Sequence, residues 1–372
     1  MNRLNARQPR VLLLTDVTGP GGVGTHIGQL ALVGRSRGWE VSVLMDSGAG
    51  SDAMAYSLRQ QGVSVARANL YHGYHNERAI SKSVLSAFAR YRPDVVHVQC
   101  GSPRSAVVPR ELAVNASIPL IVTENYVAAD IEISEDVLQR VQQLYQASFA
   151  VIAVCDENRR LLRERFGLNT DQFPVIRYGV SLSHGLSPVA GSLNEFKAIT
   201  VARLSQQKGI DVLIHAIAAL PSGVRNRFQF TLVGSGEQET QLKHLAESLG
   251  VAECIKFAGW SFDVPALLRA HDIFILPSLA EGQPIALLEA LAVGLPCIAS
   301  AVSGIPEVLG EGMYGALVRP KDTVSLSAAI ASFAENPTTL RKKAAAAQPY
   351  LKMNHDLEKN MGEIVGLWES AC

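Results

Sequence analysis

Two features of the sequence predict an α/β fold with two doubly wound, parallel-sheet domains. Short apolar runs rich in β-branched residues alternate with helical patterns, which is typical of a parallel sheet covered by helices on both faces. The alternation stops at 181–195 and then restarts. This stretch contains Ser, Gly and Pro and is typical of a linker. A chain of 372 residues is long enough for two such domains, each with a sizeable core.

The predicted strands divide evenly between the two halves of the chain. In the first half they are VLLLT (11–15), VSVLM (41–45), VSVA (63–66), VVHVQ (95–99), LIVTE (120–124) and FAVIAV (149–154). In the second half they are AITVARL (198–204), FQFTLVG (228–234), IKFAG (255–259), IFILP (273–277), CIAS (297–300) and ALVRP (316–320). Helical patterns between the later strands cover 210–220, 237–249 and 284–293.

These elements predict a first domain over 1–186 and a second over 193–350. The segment 351–372 is expected to form a C-terminal helix that crosses back toward the first domain. Ligands of doubly wound sheets bind at the carboxyl ends of the strands. Candidate site residues are therefore expected in the loops that follow the strands.

Charge and composition limit the classes of partner. Hydrophobic residues make up 48% and charged residues 18% of the chain, and the formal net charge is zero, so a nucleic-acid-binding protein is not expected. Residues 1–120 are basic, with 13 Lys or Arg against 7 Asp or Glu. This excess of positive charge could bind an anionic substrate or a membrane. An ordinary solvent-exposed protein surface explains the excess equally well.

Cysteine usage and the N-terminus indicate the compartment. The five cysteines show no C-x-x-C spacing, which argues against a disulfide framework or a zinc site and suits a reducing compartment. Arg3, Arg7 and Arg10 precede only VLLL, too short for the core of a signal peptide. No run approaches the length of a membrane span. We expect a cytoplasmic protein, with peripheral association at the inner face of a membrane left open.

A glycine-rich stretch, GPGGVGTH (19–26), follows the first predicted strand. Gly19, Gly21 and Gly24 satisfy G-x-G-x-x-G, and Asp46 ends the second strand where a ribose-binding acid would belong. A dinucleotide-dependent oxidoreductase is therefore a rival interpretation. Against it, Pro20 removes an N–H from the turn that would face a pyrophosphate. A glycine loop that approaches any phosphate or sugar explains the same residues.

The stretch LAEGQPIALLEALAVGLP (279–296) places two carboxylates around an apolar helix. Pro284 suits the first helical position, so a helix is predicted from Pro284 onward. Glu281 then precedes the helix and Glu289 lies in its second turn. Gln283 is a weak N-cap, so the first amides, those of Ile285, Ala286 and Leu287, are candidates for an anion site. Taken alone, the pattern favours an ordinary buried helix whose first amides are satisfied by water or backbone.

Two cations follow the first strand of the second half. In VARLSQQKG, Arg203 ends the strand and Lys208 lies in the loop. Each alone is more often a surface cation, but both lie at the sheet edge that the Pro284 helix faces. Two cations and an open helix N-terminus suit a diphosphate. Glu289 could then accept hydrogen bonds from a nucleoside sugar, and Glu281 from a second sugar.

Several segments together carry a family resemblance. They are GPGGVGTHIGQLA, VARLSQQKGIDVLIHAI, LVGSGEQETQLKHLAESLG, the segment from IKFAGW to LPCIAS, and SGIPEVL. With them the chain resembles the retaining glycosyltransferases of family 4, which have the GT-B fold: two Rossmann-like, doubly wound domains facing a cleft. The resemblance covers nearly the whole chain, and the second domain is its more specific half.

The resemblance implies a role for each candidate residue. The family signature E-x₇-E matches Glu281, which would contact the donor sugar, and Glu289, which would hold the donor ribose. Arg203 and Lys208 would bind the diphosphate. The diphosphate would also meet the helix start, formed by Gln283, Pro284, Ile285, Ala286 and Leu287, and the glycine loop would approach the phosphate or the acceptor with Gly21 and Gly22.

Three positions depart from the family pattern. Asn125 follows the strand LIVTE where many members have a histidine that touches the donor sugar. The usual NGVD at the domain linker is YGVS, residues 178–181, and Gln283 replaces a hydrophobic residue. The first departure bears on activity: we expect Asn125 to hold a sugar hydroxyl or the developing charge, and the substitution also leaves open a non-catalytic partner subunit.

The predicted activity is a retaining, hexosyltransferase-type transfer from a nucleotide-diphosphate sugar, with a UDP-sugar favoured, to a hydroxyl acceptor. The acceptor could be a sugar, a lipid-linked sugar or a small molecule, in polysaccharide, glycolipid or natural-product glycoside synthesis. In the mechanism that the family implies, the leaving phosphate takes the acceptor's proton on the same face. No cofactor and no essential metal are expected. A nucleotide-sugar epimerase of the same architecture is the remaining alternative.

Overall fold

The computed structural model of the chain describes residues 7–17, 21–48, 51–70, 76–169, 173–182, 194–261 and 263–372. Contacts divide the chain into two compact units. The first comprises the chain up to Tyr178 together with Glu358–Cys372, and the second is Gly179–Leu357. Gly19, Pro20 and most of the predicted linker, including both predicted domain boundaries at 186 and 193, lie outside the described residues.

Each unit contains one six-stranded sheet in which every neighbouring pair of strands is parallel. The strands of the first unit are β1 Arg10–Thr15, β2 Glu40–Asp46, β3 Ser64–Ala68, β4 Val95–Cys100, β5 Leu120–Glu124 and β6 Ala150–Ala153. Those of the second unit are β7 Phe196–Val201, β8 Phe228–Val233, β9 Ile255–Gly259, β10 Ile273–Leu276, β11 Cys297–Ser300 and β12 Ala316–Val318.

The strand orders are β3-β2-β1-β4-β5-β6 and β12-β11-β10-β7-β8-β9, so the two units repeat one doubly wound topology. All twelve predicted strands are present, and the predicted fold class is confirmed. Every residue of β4, β5, β10 and β11 is buried, because helices cover both faces of each sheet. That burial explains the apolar run of β10, whereas β4 and β5 bury polar side chains as well: His97, Gln99, Thr123 and Glu124.

Helices follow most strands. In the first unit they are α1 Gly22–Ser36, α2 Asp52–Gln60, α3 Glu77–Tyr91, α4 Val107–Asn115, α5 Glu135–Ala147 and α6 Asp156–Phe166. In the second they are α7 Ile210–Ala219, α8 Ser222–Arg225, α9 Glu239–Ser248, α10 Val264–Arg269, α11 Ile285–Ala292, α12 Ile305–Val308, α13 Thr323–Glu335, α14 Pro337–Ala346 and α15 Gln348–Asn354. The last helix, α16, spans Leu357–Ala371. None of the helices in the described ranges is long and apolar enough to cross a membrane.

Helix α16 packs into the core of the first unit through Trp368. This side chain is fully buried, its ring lies 5.4 Å from that of Trp39, and a Cβ at Gly34 would come within 2.6 Å of it. The indole Nε1 donates to Nδ1 of His97 at 3.1 Å. Because an indole nitrogen can only donate, Nδ1 must accept and His97 is neutral, in keeping with burial that lowers its pKa to about 3.

Candidate functional site

The carboxyl ends of four strands in the second unit come together around the start of α11. Strand β7 lies between β10 and β8, so the strand order reverses at β7 and β10. Ligands of doubly wound sheets bind at such a switch point. The loops concerned are 202–209 after β7, 234–238 after β8, 277–284 after β10 and 301–304 after β11.

Backbone hydrogen bonds join the 202–209, 277–284 and 301–304 loops to one another. The amide of Leu279 donates to the carbonyl of Gln207 at 2.8 Å, and Nε2 of Gln207 donates to the carbonyl of Ala280 at 2.9 Å. The amide of Gly304 donates to the carbonyl of Gly282 at 3.1 Å. The site is therefore held by main-chain contacts, which fix its geometry independently of most side chains.

Glycines allow these loops to approach so closely. A Cβ at Gly209, whose φ is +60°, would lie 2.3 Å from the carbonyl oxygen of Pro277. Cβ atoms at Gly234 and Gly236 would lie 1.9 and 2.2 Å from the carbonyls of Ala202 and Leu204. The glycines of the LVGSGEQ turn, which were not among the predicted site residues, thus set the path of the loop that carries Arg203.

Lys208 and Glu281, which are 73 residues apart, form an ion pair at this site. Nζ of Lys208 donates to Oε1 of Glu281 at 2.6 Å, and the hydroxyl of Ser278 donates to the same oxygen at 2.7 Å. The side chain of Glu281 is only 7% exposed, and that of Lys208 is 16% exposed. Both described contacts fall on Oε1, and Lys208 has three N–H donors. The ammonium of Lys208 and Oε2 of Glu281 are therefore positioned to make further contacts with a ligand.

The helix after the first carboxylate begins one residue later than predicted. Helix α11 starts at Ile285, and Pro284 is its N-cap, with φ −76° and ψ 111°. The expectation that Leu287 has a free amide is also wrong, because that amide donates to the carbonyl of Pro284 at 3.1 Å. The amides of Ile285 and Ala286 have no recorded acceptor in the described part of the chain, and no side chain caps the helix. These two N–H groups are available to an anion, as helix N-termini often are.

Glu289 lies in the second turn of α11, as predicted. Burial raises the pKa of its carboxyl from 4.5 to about 7. Within the described ranges no hydrogen bond or ion pair to this carboxylate is recorded. A half-buried acidic group that lacks donors is suited to accept hydrogen bonds from a ligand, which would lower its pKa again.

The raised pKa of Glu289 makes the stability of the unliganded protein depend on pH. Between about pH 4.5 and 7 the unfolded chain loses this proton while the folded protein keeps it, so the free energy of unfolding falls as the pH rises. We expect Glu289→Gln to remove on the order of 1–3 kcal/mol of that fall. Urea unfolding at pH 5 and pH 8 measures it; parallel curves for the two proteins would contradict the assignment.

Arg203 lies in the same loop as Lys208. Its side chain is exposed, and no hydrogen bond or ion pair of its guanidinium is recorded within the described residues. Its neighbour Leu204 is buried and exchanges backbone hydrogen bonds with the 234–238 loop, its amide donating to the carbonyl of Ser235 at 3.0 Å. The backbone at Arg203 is thus anchored while the guanidinium stays available to an anion.

In the first unit, Gly21 and Gly22 lie at the exposed start of α1. Gly21 is the N-cap with φ 163°, extended backbone that any residue adopts, and a Cβ there would meet nothing within 4 Å. Gly24 differs, because its Cβ would lie 2.5 Å from Sδ of Met54. Packing against α2 explains Gly24, whereas Gly21 leaves open space beside the helix N-terminus.

Asn125 follows β5 and is held by neighbours in the first unit. Its Nδ2 donates to the carbonyl of Cys100 at 2.9 Å, and its Oδ1 accepts a hydrogen bond from the hydroxyl of Tyr178. The ring of Tyr178 lies 4.6 Å from that of His26. Two departures from the family pattern, at 125 and 178, therefore contact each other. Asn125 is 5% exposed, and its predicted contact with a sugar stays a prediction.

Asp46, the ribose-binding acid of the dinucleotide alternative, has a local structural role. Its Oδ1 accepts from the amide of Gly48 at 2.7 Å and its Oδ2 accepts from the amide of Leu70 at 2.8 Å. Both oxygens of this buried carboxylate thus shape the loops after β2 and β3. This structural use of Asp46 accounts for the residue without a dinucleotide and weakens that alternative.

The second unit therefore offers an ammonium, a guanidinium and two open amides near a switch point, with two carboxylates beside them. Such a set can bind a diphosphate and accept hydrogen bonds from sugar hydroxyls. No group of three or more His, Cys, Asp or Glu side chains placed to hold a metal ion occurs among the described residues.

Two family models match the chain, one in each half. The model described as Glycosyltransferase Family 4 matches residues 20–184, and the model described as Glycosyl transferases group 1 matches residues 189–349. The second match contains the site around α11.

Individual relatives show the same similarity. WcaL of Escherichia coli K12, named as a colanic acid biosynthesis glycosyltransferase, is 30% identical over 53% of this chain and 50% of its own length. The chain thus matches about half the length of this relative. The phosphatidyl-myo-inositol mannosyltransferase of Mycobacterium leprae is 29% identical over 95% of this chain and 94% of its own. The crystal structure of Anabaena HepE with UDP-glucose superposes with a TM-score of 0.81 at 23% identity, covering 97% and 99% of the two chains.

Proposed function

This chain belongs to glycosyltransferase family 4, and on that premise we propose that it is a retaining transferase of hexosyl-type sugars that uses a nucleotide-diphosphate sugar, with UDP as the nucleotide. The observation that carries the proposal is the convergence of Lys208, Glu281 and the open amides of Ile285 and Ala286 at one switch point. Anabaena HepE, a protein of the same fold, was crystallised with UDP-glucose, which supports the choice of donor.

The donor would lie along the loops after β7 and β10. Its diphosphate would meet Arg203, the two N–H groups of Lys208 that Glu281 does not use, and the first amides of α11. Its ribose hydroxyls would donate to Glu289, whose carboxylate has no partner within the described residues. The sugar would meet Glu281 through Oε2, because the described contacts of that carboxylate are on Oε1.

Catalysis would come from charge stabilisation of the leaving diphosphate. Arg203, Lys208 and the helix amides stabilise negative charge that develops as the bond to the anomeric carbon breaks, and such preorganised donors contribute several kcal/mol. The acceptor hydroxyl would give its proton to the leaving phosphate on the same face, which preserves the anomeric configuration. Glu281 and Glu289 are then binding residues and not an acid–base pair.

Asn125 is proposed to hold a donor-sugar hydroxyl or the developing charge, in a position fixed by Tyr178 and the carbonyl of Cys100. We expect Asn125→Ala to lower kcat/KM by about 10–100-fold while the affinity for UDP stays nearly constant. Asn125→His should keep partial activity and add a pH-dependent limb, because an imidazole titrates near neutral pH. Wild-type turnover by the alanine variant would show that Asn125 only shapes the turn.

The acceptor is proposed to bind at the first unit, as a sugar, a lipid-linked sugar or a small molecule. The excess of 13 Lys or Arg over 7 Asp or Glu in residues 1–120 favours an anionic or membrane-bound acceptor. The Mycobacterium leprae relative is named for a lipid acceptor, phosphatidyl-myo-inositol. We place the protein in the cytoplasm, where nucleotide sugars serve as donors, with peripheral association at the membrane.

A thermal-shift screen of nucleotide sugars, followed by mass spectrometry of the products formed with a panel of acceptors, tests this function. We expect UDP and one UDP-sugar to raise Tm, and a product heavier than the acceptor by one sugar residue. Conversion of the donor without an acceptor would indicate an epimerase instead. Donor binding without any turnover would indicate a non-catalytic subunit.

Turnover is expected to be independent of divalent metal, because Lys208, Arg203 and the helix amides supply the positive charge that a metal would otherwise provide. The measurement is the rate of UDP release with excess EDTA and after addition of Mg²⁺ or Mn²⁺. Equal rates are expected. Activity that EDTA abolishes and Mn²⁺ restores would overturn this part of the mechanism.

A further inference from the structure

A second group of buried polar side chains lies in the first unit, at the carboxyl ends of β1 and β5 and on helices α4 and α5. It consists of Asp16, Arg110, Glu124 and Tyr145, and we call it the arginine cluster. Arg110 and Glu124 are fully buried, Tyr145 is 1% exposed and Asp16 is 8% exposed. Burial raises the pKa of both carboxyls, and the positive charge of Arg110 opposes that rise.

Arg110 makes its shortest contact with the loop after β4. Its Nη2 donates to the carbonyl oxygen of Pro103 at 2.7 Å. Its Nη1 lies 3.9 Å from Oε1 of Glu124, which accepts a hydrogen bond from the hydroxyl of Tyr145 at 2.7 Å. The guanidinium carbon lies 5.6 Å from the centre of the Tyr145 ring. One side chain thus joins the 101–106 loop to the end of β5.

Asp16 holds the other end of the 101–106 loop. Its Oδ2 accepts from the amide of Ala106 at 2.8 Å, and Ala106, the N-cap of α4, has the unfavourable φ of +50°. A Cβ at Gly101 would lie 3.1 Å from Cγ2 of Val17. The loop is therefore fixed by Arg110 at Pro103 and by Asp16 at Ala106, directly beside the residues that lead to the glycine-rich segment.

Stability alone is a poor explanation of this cluster. Oδ1 of Asp16, Nε and Nη1 of Arg110, and Oε2 of Glu124 are buried and have no hydrogen-bond partner among the described residues. Buried polar atoms without partners cost free energy, and apolar side chains of similar volume often stabilise a fold better than a buried ion pair. The contact of Arg110 with ordinary hydrogen-bond length is the one from Nη2 to the carbonyl of Pro103, and it holds the 101–106 loop.

We propose that Arg110 is a positioning residue that fixes the 101–106 loop as part of the acceptor-binding surface of the first unit. The inference rests on the proposed function, since it assigns the acceptor to the first unit. Arg110 is completely buried and acts through Pro103 and Asp16 without touching the acceptor itself. A lysine at this position keeps the charge but has no planar fork to reach Pro103 and face Glu124 together.

The test compares Arg110→Lys with Tyr145→Phe in the full chain. Both changes disturb the environment of Glu124, but only the first replaces the donor to Pro103, and a single ammonium cannot hold Pro103 while it faces Glu124. Hydrogen–deuterium exchange of the peptide containing 101–106 should accelerate about tenfold or more in Arg110→Lys and less than about twofold in Tyr145→Phe, given the usual contribution of a charge-assisted hydrogen bond. Equal acceleration in both variants, or none in Arg110→Lys, would overturn the proposal.

Kinetics give the second readout. With the acceptor that turns over in the product screen, Arg110→Lys should raise the acceptor KM about tenfold, with kcat and the Kd for UDP within about twofold of the wild type. A change in kcat alone, or an equal change in Tyr145→Phe, would contradict a positioning role. If no acceptor turns over, the proposed function fails, whereas the exchange experiment still decides whether Arg110 fixes the loop.

Discussion

Replacing Lys208 by alanine is expected to weaken UDP binding by about 10–100-fold, equivalent to roughly 1.5–3 kcal/mol for charge-assisted hydrogen bonds. The same change should lower the free energy of unfolding by about 1–3 kcal/mol, because the carboxylate of Glu281, 7% exposed, loses its cation and keeps only Ser278 as a side-chain donor. Calorimetry with UDP and urea unfolding measure the two effects.

Two further variants separate the effect on binding from the effect on folding. Combining Lys208→Met with Glu281→Gln removes both charges, so we expect most of the stability to return while UDP affinity stays low. Lys243 pairs with Glu239 at 2.7 Å on the surface of the same unit, and Lys243→Ala should change neither quantity appreciably. Unchanged affinity for UDP in Lys208→Ala would remove Lys208 from the donor site.

Gly209→Ala is expected to be strongly destabilising. The new Cβ would lie 2.3 Å from the carbonyl oxygen of Pro277 at a φ of +60°, so the 202–209 and 277–284 loops must separate. We expect a loss of about 2–4 kcal/mol in the free energy of unfolding, together with weaker UDP binding, since Lys208 is the adjacent residue.

Gly250→Ala is the matched control for this substitution. Gly250 has nearly the same backbone angle, φ +65°, but a Cβ there would meet nothing within 4 Å. Its loss should therefore be limited to the cost of a left-handed residue, about 1–2 kcal/mol, with UDP binding unaffected. Equal losses in the two variants would mean that backbone strain, and not the contact with Pro277, governs position 209.

The sequence predicted the central strands well because they are covered on both faces, and apolar runs such as those of β1 and β10 are easy to recognise. It predicted the start of α11 less well. Pro284 fits either the N-cap or the first helical position by its φ, and only ψ, which local sequence does not fix, distinguishes them.

The pairings within the sites could not be predicted in the same way. Lys208 and Glu281 are 73 residues apart, and Arg110 meets Pro103 and Glu124 through the packing of α4, for which a single sequence has no periodic signal. Gly234 and Gly236 did offer a signal, since glycines directly after a strand indicate that another backbone approaches closely. Only the structure shows which backbone approaches them: the carbonyls of Ala202 and Leu204 lie where a Cβ would be.

The central claim is retaining transfer from a UDP-sugar bound at the α11 site of the second unit. The most direct measurement is proton NMR of the reaction of the purified chain with the UDP-sugar and acceptor selected by the screen, following the anomeric proton of the product as it first appears. We expect a product with the anomeric configuration of the donor, at a rate that Lys208→Ala strongly reduces. A product of inverted configuration, or an undiminished rate in Lys208→Ala, would contradict it.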